Sequence, residues 1–187
     1  MTDKRKVLAI CGSTRQNSSN LILLNAIAEL YLDKLEITIF KGLAELPHFN
    51  PDHSDIHVPK YVTDFRQQLR NADGVLICTP EYAHGVPGTL KNAIDWTVST
   101  NEFSKKPTLL ITASTDGRFG HKALLETLRV IEAENIDNLQ LIIPFIKAKL
   151  GIDNKIKDQN TLTEILKIME IFITTIDAKK NDDGKHA

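Results

Sequence analysis

Residues 74–88 read GVLICTPEYAHGVPG, and this stretch decides the fold. Apolar and β-branched residues dominate 74–79, which predicts a buried strand. Pro80 ends that strand, and Gly85 and Gly88 keep the next loop irregular and its backbone approachable. Pro87 then predicts the start of a helix through LKNAIDWTV. A buried strand, a loop and a helix in this order form one unit of a parallel α/β sheet.

The same alternation continues on both sides of this stretch. Four further strands are predicted at 6–11 (KVLAIC), 35–40 (LEITIF), 108–113 (TLLITA) and 139–143 (LQLII). Apolar residues recur at helical spacing between and after them, most clearly from Leu162 to Ile176. The pattern therefore predicts an α/β fold with five parallel strands.

Length and composition restrict the class of protein. The 187 residues, 42% of them hydrophobic and 25% charged, are typical of one globular domain. We expect that domain to span 1–178 and the polar tail at 179–187 to be disordered. Lys and Arg number 23 against 24 Asp and Glu, which leaves no field of one sign to hold nucleic acid or a membrane surface. No apolar run reaches the length of a bilayer span, so the expected partners are small molecules.

Cysteine and histidine usage favours neither disulfides nor metal. Cys11 and Cys78 are too few for a disulfide scaffold, which predicts reduced thiols and a cytoplasmic location. Cys11 precedes Arg15 by fewer residues than the low-molecular-weight tyrosine phosphatase pattern requires, so we interpret both cysteines as small apolar strand residues. Three histidines share the loop at 48–57 without an HExxH pattern or a cysteine partner, so no metal site is expected.

The loop after the first strand carries most of the candidate binding groups. Residues 12–20, GSTRQNSSN, offer hydroxyls, amides, one guanidinium and the free N–H groups of a helix start. A phosphate needs donors and positive charge from several directions, and a helix N-terminus supplies both. This loop therefore predicts a phosphate site. The alternative is that Ser18 or Ser19 only caps the helix and Arg15 is a solvated surface charge.

The glycine patterns of larger nucleotide sites are absent from the sequence. Neither GxxxxGK[ST] nor GxGxxG occurs, which favours a mononucleotide. The loops at 79–88 and 113–121 (ASTDGRFGH) also follow strands and carry glycines. Ligands of open α/β sheets bind at the carboxyl ends of the strands, so these loops are expected to meet the first one there. Aromatic side chains and main-chain N–H groups suit a flat ring system.

Two segments of the sequence resemble a known family. GSTRQNSSN and the segment ADGVLICTPEYAHGVPGTLKNAIDW (72–96) are similar to the NADPH-dependent FMN reductases, which include quinone, chromate and azo-dye reductases. The resemblance extends to about Ile176. It implies a flavodoxin-like, doubly wound five-stranded sheet of order 2-1-3-4-5 with helices on both faces. Members are commonly homodimers or homotetramers with the LKNAIDW helices between subunits, and the apolar Trp96 fits that role.

The resemblance also implies a set of contacts to FMN. The phosphate would be held by Ser13, Arg15, Ser18, Ser19 and Asn20. The isoalloxazine ring would lie along the third-strand loop, at Pro80, Glu81, Tyr82, Ala83, His84 and Gly85. The fourth-strand loop would close over its other edge, with Ser114, Thr115 and Gly117. Tyr82, His84 and Arg118 would shape the pocket for NADPH or NADH and for the electron acceptor.

Two departures from the family pattern stand out. Asn is usual after PEY, whereas this chain has Ala83, followed by His84. The fourth loop, STDGRFGH, is bulkier and more polar than the Gly-Gly run of many relatives. We expect these differences to tune turnover without abolishing flavin binding.

The resulting hypothesis is an FMN-dependent NAD(P)H oxidoreductase in which the flavin carries the chemistry and no protein nucleophile is needed. The acceptor would be a quinone, an azo compound, a metal oxyanion or free flavin. One alternative is a non-catalytic electron carrier of the flavodoxin type, although such carriers are typically strongly acidic. A second alternative is a phosphate-binding regulatory protein without catalysis.

Overall fold

The computed structural model describes residues 4–53 and 57–185 and shows a five-stranded parallel sheet. The strands are β1 (Arg5–Cys11), β2 (Leu35–Ile39), β3 (Gly74–Thr79), β4 (Thr108–Ser114) and β5 (Gln140–Pro144). Their order is β2-β1-β3-β4-β5, with every neighbouring pair parallel. The predicted strand positions are confirmed to within one residue at each end, and the flavodoxin-like order is confirmed.

Helices cover both faces of the sheet. They are α1 (Ser19–Leu30), α2 (Lys60–Asn71), α3 (Gly88–Asp95), α4 (Arg118–Val130), α5 (Ile146–Lys149) and α6 (Gln159–Lys185). Short 3-10 turns lie at Leu43–Glu45 and Pro51–His53. None of these described helices combines the length and the apolar character that a membrane crossing requires.

Two hydrophobic cores lie on opposite faces of the sheet. Because side chains alternate along a strand, Val7, Ala9 and Cys11 of β1 pack on one face and Leu8 and Ile10 on the other. The first face is covered by α1, α5 and α6, and the second by α2, α3 and α4. The sheet is thus doubly wound, and its carboxyl edge is left to loops.

Helix α6 continues further than the polar tail predicts. The tail expected to be disordered at 179–187 is helical through Lys185, and residues 186–187 lie outside the described part. Two ion pairs tie this end of the helix to the sheet. Asp177 accepts two 2.7 Å hydrogen bonds from Arg5, and Lys180 lies 2.8 Å from a carboxylate oxygen of Asp73. Once a helix is nucleated, each added residue is inexpensive to order, so these contacts suffice to extend it.

Trp96 belongs to the core of the chain itself. It follows α3, is 1% exposed, and donates its indole N–H to the carbonyl of Pro47 over 2.8 Å. Phe49 packs edge-on against its ring. The apolar character of LKNAIDW is therefore explained by burial within one subunit, and Trp96 gives no support to an interface between subunits.

Candidate functional site

The carboxyl edge of the sheet carries a cavity of about 390 Å³. Four strand ends contribute to its wall, which is a usual place for ligands in doubly wound sheets. The predicted residues that the structure brings together here are Ser13, Arg15, Ser18, Ser19, Asn20, Pro80, Glu81, Tyr82, Ser114 and Thr115. The predicted residues that do not line it are Ala83, His84, Gly85, Gly117 and Arg118.

One wall of the cavity is the start of α1. Ser18 caps the helix by accepting the N–H of Asn20 over 3.2 Å, and no acidic residue lies in the first turn. Among the described residues no acceptor meets the N–H of Ser19 or Leu21. The exposed Arg15 guanidinium has no ion-pair partner within this part of the chain. Capping and ligand binding are therefore compatible, and this wall presents donors and positive charge for an anion.

Gly12 explains how the loop reaches this position. A Cβ atom at Gly12 would lie 2.2 Å from Oγ1 of Thr79, because the loop crosses directly over the end of β3. Its N–H donates to the carbonyl of Cys78 over 2.8 Å. Only glycine fits this close approach. It holds the loop at 12–20, the cradle of the predicted phosphate site, beside the neighbouring strand.

The side chain of Asn20 makes hydrogen bonds within the protein. Its side chain is buried, donates to the carbonyl of Ala113 over 3.1 Å and accepts from the thiol of Cys78 over 3.2 Å. The residue thus joins α1 to β3 and β4. Its amide, which the sequence assigns to phosphate, is already engaged in this contact.

The third-strand loop contains a tight turn from Tyr82 to Gly85. Tyr82 and Gly85 exchange both backbone hydrogen bonds, at 3.0 and 2.9 Å, and φ is +48° at Ala83 and +59° at His84. Two positive φ angles define a type I′ turn. Because the N–H groups of Tyr82 and Gly85 are used inside the turn, they are not the ring donors that the sequence predicts. The Tyr82 hydroxyl lies 3.4 Å from Ser13 Oγ and faces the cradle.

Glu81 ties this loop to the fourth one. Its carboxylate accepts the N–H of Gly120, at the start of α4, over 2.6 Å. Its own N–H donates to Ser114 Oγ over 3.2 Å. A Cβ at Gly120 would lie 2.9 Å from the carbonyl oxygen of Gly85, so glycine is required for the two loops to approach. The carboxylate therefore positions the loop ends and leaves the helix start of α4 capped.

Arg118 and His84 lie outside the cavity wall. The Arg118 guanidinium makes two 2.8 Å hydrogen bonds to Asp116, which lower the pKa of that carboxyl. The His84 ring stacks on Phe119 with centroids 4.5 Å apart. Binding of a nicotinamide phosphate by Arg118 stays a prediction, and the guanidinium would have to share or release Asp116 to fulfil it.

The segment after β5 completes the wall, and the sequence reasoning missed it. Phe145, Ile146, Lys147 and Ala148 line the cavity. The available signal was positional, since every loop at the carboxyl end of a parallel strand faces the same edge. The segment was overlooked because PFIKAK lacks the glycines and hydroxyls that mark the other loops.

Both cysteines are core residues near the carboxyl ends of two neighbouring strands. They are register partners on β1 and β3, and both are buried. Burial raises the pKa of the Cys11 thiol and raises that of Cys78 well above its usual range. Neither thiol is a nucleophile at neutral pH, because the thiolate is the reactive form. Within residues 4–53 and 57–185 no group of three His, Cys, Asp or Glu side chains could hold a metal ion.

Comparison with known proteins agrees with this arrangement. The fold matches that of the NAD(P)H:(acceptor) oxidoreductase FerB from Paracoccus denitrificans with a TM-score of 0.77 and 24% identity, over 93% of this chain and 98% of that one. Fold and cavity together define a doubly wound α/β protein with a ligand-sized cavity at the carboxyl edge of its sheet. The family model of the NADPH-dependent FMN reductases matches residues 5–146, and the chain belongs to that family.

Curated relatives carry related names. An NAD(P)H-dependent FMN reductase from Pseudomonas aeruginosa is 40% identical over 122 residues, which are 64% of this chain and 65% of the relative. A quinone reductase from Escherichia coli is 34% identical over 117 residues, 61% of this chain and 62% of the relative. The chain thus aligns with somewhat less than two thirds of the length of each. The predicted cofactor, FMN with NAD(P)H as donor, is confirmed at the level of the family.

Proposed function

We propose that this chain is an FMN-dependent NAD(P)H oxidoreductase whose flavin binds in the cavity at the carboxyl edge of the sheet. The observation that carries the proposal is the cavity wall at the start of α1. Unpaired helix N–H groups, serine hydroxyls and the Arg15 guanidinium converge there without a carboxylate from the same helix turn. This donor set fits the phosphate of FMN.

Two sets of residues bind the two ends of FMN. Ser13, Arg15, Ser18 and Ser19 hold the phosphate, and Pro80, Tyr82, Ser114 and Thr115 face the ring. FMN, when bound, accepts a hydride from the nicotinamide and passes two electrons to a small-molecule acceptor such as a quinone or a free flavin. The chain orients the ring, and Tyr82 and Phe145, both exposed, contribute aromatic side chains to the cavity wall.

Arg15→Ala tests the assignment of the phosphate. A charge-assisted hydrogen bond contributes about 1.5 to 3 kcal/mol, so FMN affinity should fall roughly ten- to hundredfold. Riboflavin, which lacks the phosphate, should bind as it does to the wild type. Quenching of flavin fluorescence measures both affinities. Arg118→Ala is the matched control and should leave FMN affinity unchanged, whereas equal losses of FMN and riboflavin affinity in Arg15→Ala would contradict the assignment.

Anaerobic mixing with nicotinamide tests catalysis. NADPH or NADH should bleach the flavin of the purified holoprotein, and the ratio of the two rates gives the donor preference. A flavin that binds but stays oxidised with both donors would instead indicate an electron carrier. A chain that binds no flavin would instead support the alternative of a phosphate-binding regulatory protein without catalysis.

Assembly into a homodimer or homotetramer is supported by the family resemblance and by exposed aromatic side chains at Tyr82 and Phe119. Sedimentation velocity at micromolar concentration should show a species larger than 20.9 kDa, the mass of one chain. A monomer under these conditions would contradict the proposal. We also propose a location in the cytoplasm, because Cys11 and Cys78 are free thiols.

A further inference from the structure

The segment after β5 contributes a further wall to the cavity. This segment follows the edge strand of the sheet, since β5 lies beyond β4 in the strand order. Two of its side chains, Phe145 and Lys147, are exposed and line the cavity. Their chemistry differs from that of the hydroxyl-rich cradle.

Phe145 adopts a conformation that a bulky side chain rarely takes. Its φ is +54° and its ψ +37°, in the left-handed region, and the residue is 65% exposed. The backbone is held there from both sides, because its N–H donates to the carbonyl of Thr115 over 3.3 Å and its carbonyl accepts from Ala148 over 2.9 Å. Backbone strain of this kind concentrates at functional sites. The strain fixes an apolar aromatic face at the cavity mouth that the core does not use.

Lys147 is a cation without a counter-ion. Within the described ranges 4–53 and 57–185 no carboxylate pairs with its ammonium, whereas Lys91 and Arg118 each have a partner at 2.6 to 2.8 Å. The acidic side chain in the cavity wall, Glu81, already accepts the N–H of Gly120. The ammonium is therefore available to a ligand, and it lies two residues after the Phe145 ring.

We propose that Phe145 and Lys147 form a subsite for an electron acceptor that is aromatic and anionic. The ring of the acceptor packs against Phe145, and a carboxylate, sulfonate or phenolate substituent pairs with Lys147. FMN phosphate is assigned elsewhere, since the α1 cradle has its own cation and donors. This subsite rests on the proposed function, because it selects the acceptor of the same reaction.

Lys147→Gln tests the anionic half of the subsite in the holoenzyme. Two probe acceptors are compared, 1,4-naphthoquinone-2-sulfonate and the neutral 2-methyl-1,4-naphthoquinone. At low ionic strength KM for the sulfonate should rise about fivefold, the effect of one exposed ion pair, with kcat and the neutral quinone unchanged. Lys147→Arg should retain the wild-type KM. Lys149→Gln, on the same helical turn and with the same change of net charge, lies outside the cavity wall and should leave both constants unchanged.

Phe145→Gly tests the aromatic half. Glycine accepts the positive φ, so folding should be preserved, and loss of the ring should raise KM for both quinones about two- to tenfold. Tyr61→Ala is the control, because this exposed aromatic side chain on α2 is outside the wall, and it should leave KM for both quinones unchanged.

Three results would overturn the subsite. One is an equal effect of Lys147→Gln on both quinones. The second is the same effect from Lys149→Gln, and the third is a loss of FMN affinity in Lys147→Gln, which would assign the ammonium to the cofactor. Failure of the proposed function is a separate result, because the wild-type protein would then fail to oxidise NADPH or NADH with either quinone.

Discussion

Ala83 occupies a backbone position that favours asparagine or glycine. In the type I′ turn at Tyr82–Gly85 its φ is +48°, a region that Asn and Gly adopt more readily than Ala. Ala83→Asn and Ala83→Gly should therefore each stabilise the protein by about 0.5 to 1 kcal/mol, measured as the free energy of unfolding in urea. FMN affinity should be the same in both variants, because Ala83 does not line the cavity.

The two variants separate local backbone preference from flavin binding. If the asparagine common in the family bonds to the flavin, Ala83→Asn will tighten FMN by about 0.5 to 1.5 kcal/mol while Ala83→Gly leaves it unchanged. That outcome would contradict the explanation from turn geometry and show that an amide at this position contacts the flavin.

His121 makes stability depend on pH. The ring is buried, lies 2.8 Å from Thr112 Oγ1 and 2.9 Å from Gln140 Oε1, and has a pKa lowered by burial. Because the unfolded chain takes up this proton more readily, the stability contribution is present above about pH 6.5, the pKa of a free histidine, and is lost as pH falls. The slope reaches at most about 1.4 kcal/mol per pH unit for one proton.

Urea unfolding between pH 7 and 5 measures this contribution. His121→Gln should show a smaller loss of stability than the wild type over that range. His48→Gln, which changes an exposed side chain, should retain the wild-type slope. Parallel pH profiles for the wild type and His121→Gln would show that the buried ring does not control the titration.

At the scale of elements, the carbonyl groups at the end of helix α2 accept hydrogen bonds from a lysine distant in sequence. Lys106 donates to the carbonyls of Leu69 and Ala72 over 2.8 and 2.6 Å, and burial lowers its pKa. Lys106→Met should cost about 1 to 3 kcal/mol in the free energy of unfolding, because the carbonyls lose their donor. The control Lys105→Met alters an exposed neighbour and should have little effect, so equal losses in the two variants would refute this role.

Local sequence patterns account for the elements but not for the contacts between them. The five strands are recognisable because each is a short apolar run between turn residues, and the cradle because hydroxyls follow a strand. Sequence shows residue type and not the partners of a residue distant along the chain, so the contacts of Asn20 with β3 and β4 and of Trp96 with Pro47 are not predictable from it. The wall at Phe145 and Lys147 is not predicted for a different reason, since this segment lacks the glycines and hydroxyls that mark the other loops.

At the scale of the whole molecule, α6 anchors the amino end of the sheet. Gly74 allows this, because a Cβ there would lie within 3 Å of Phe172 and Ile176. Beyond these residues the helix is held by Asp177 with Arg5 and Lys180 with Asp73. The double variant Asp177→Asn and Lys180→Gln should lose about 0.4 to 2 kcal/mol of stability, the sum of two partly exposed ion pairs.

Truncation after Lys180 provides the comparison. It keeps both ion pairs and should change the free energy of unfolding by less than about 0.5 kcal/mol. A larger loss on truncation than in the double variant would show that residues beyond Lys180 contribute more than these pairs.

The contacts of Asn20 also bear on how firmly the carboxyl edge of the sheet is held. Its side-chain amide donates to β4 and accepts from β3, so one residue of α1 joins three elements, and no buried side-chain nitrogen or oxygen in the described part of the chain lacks a partner. An edge whose elements are joined by the protein's own hydrogen bonds is preorganised, so little ordering entropy should oppose the binding of FMN there.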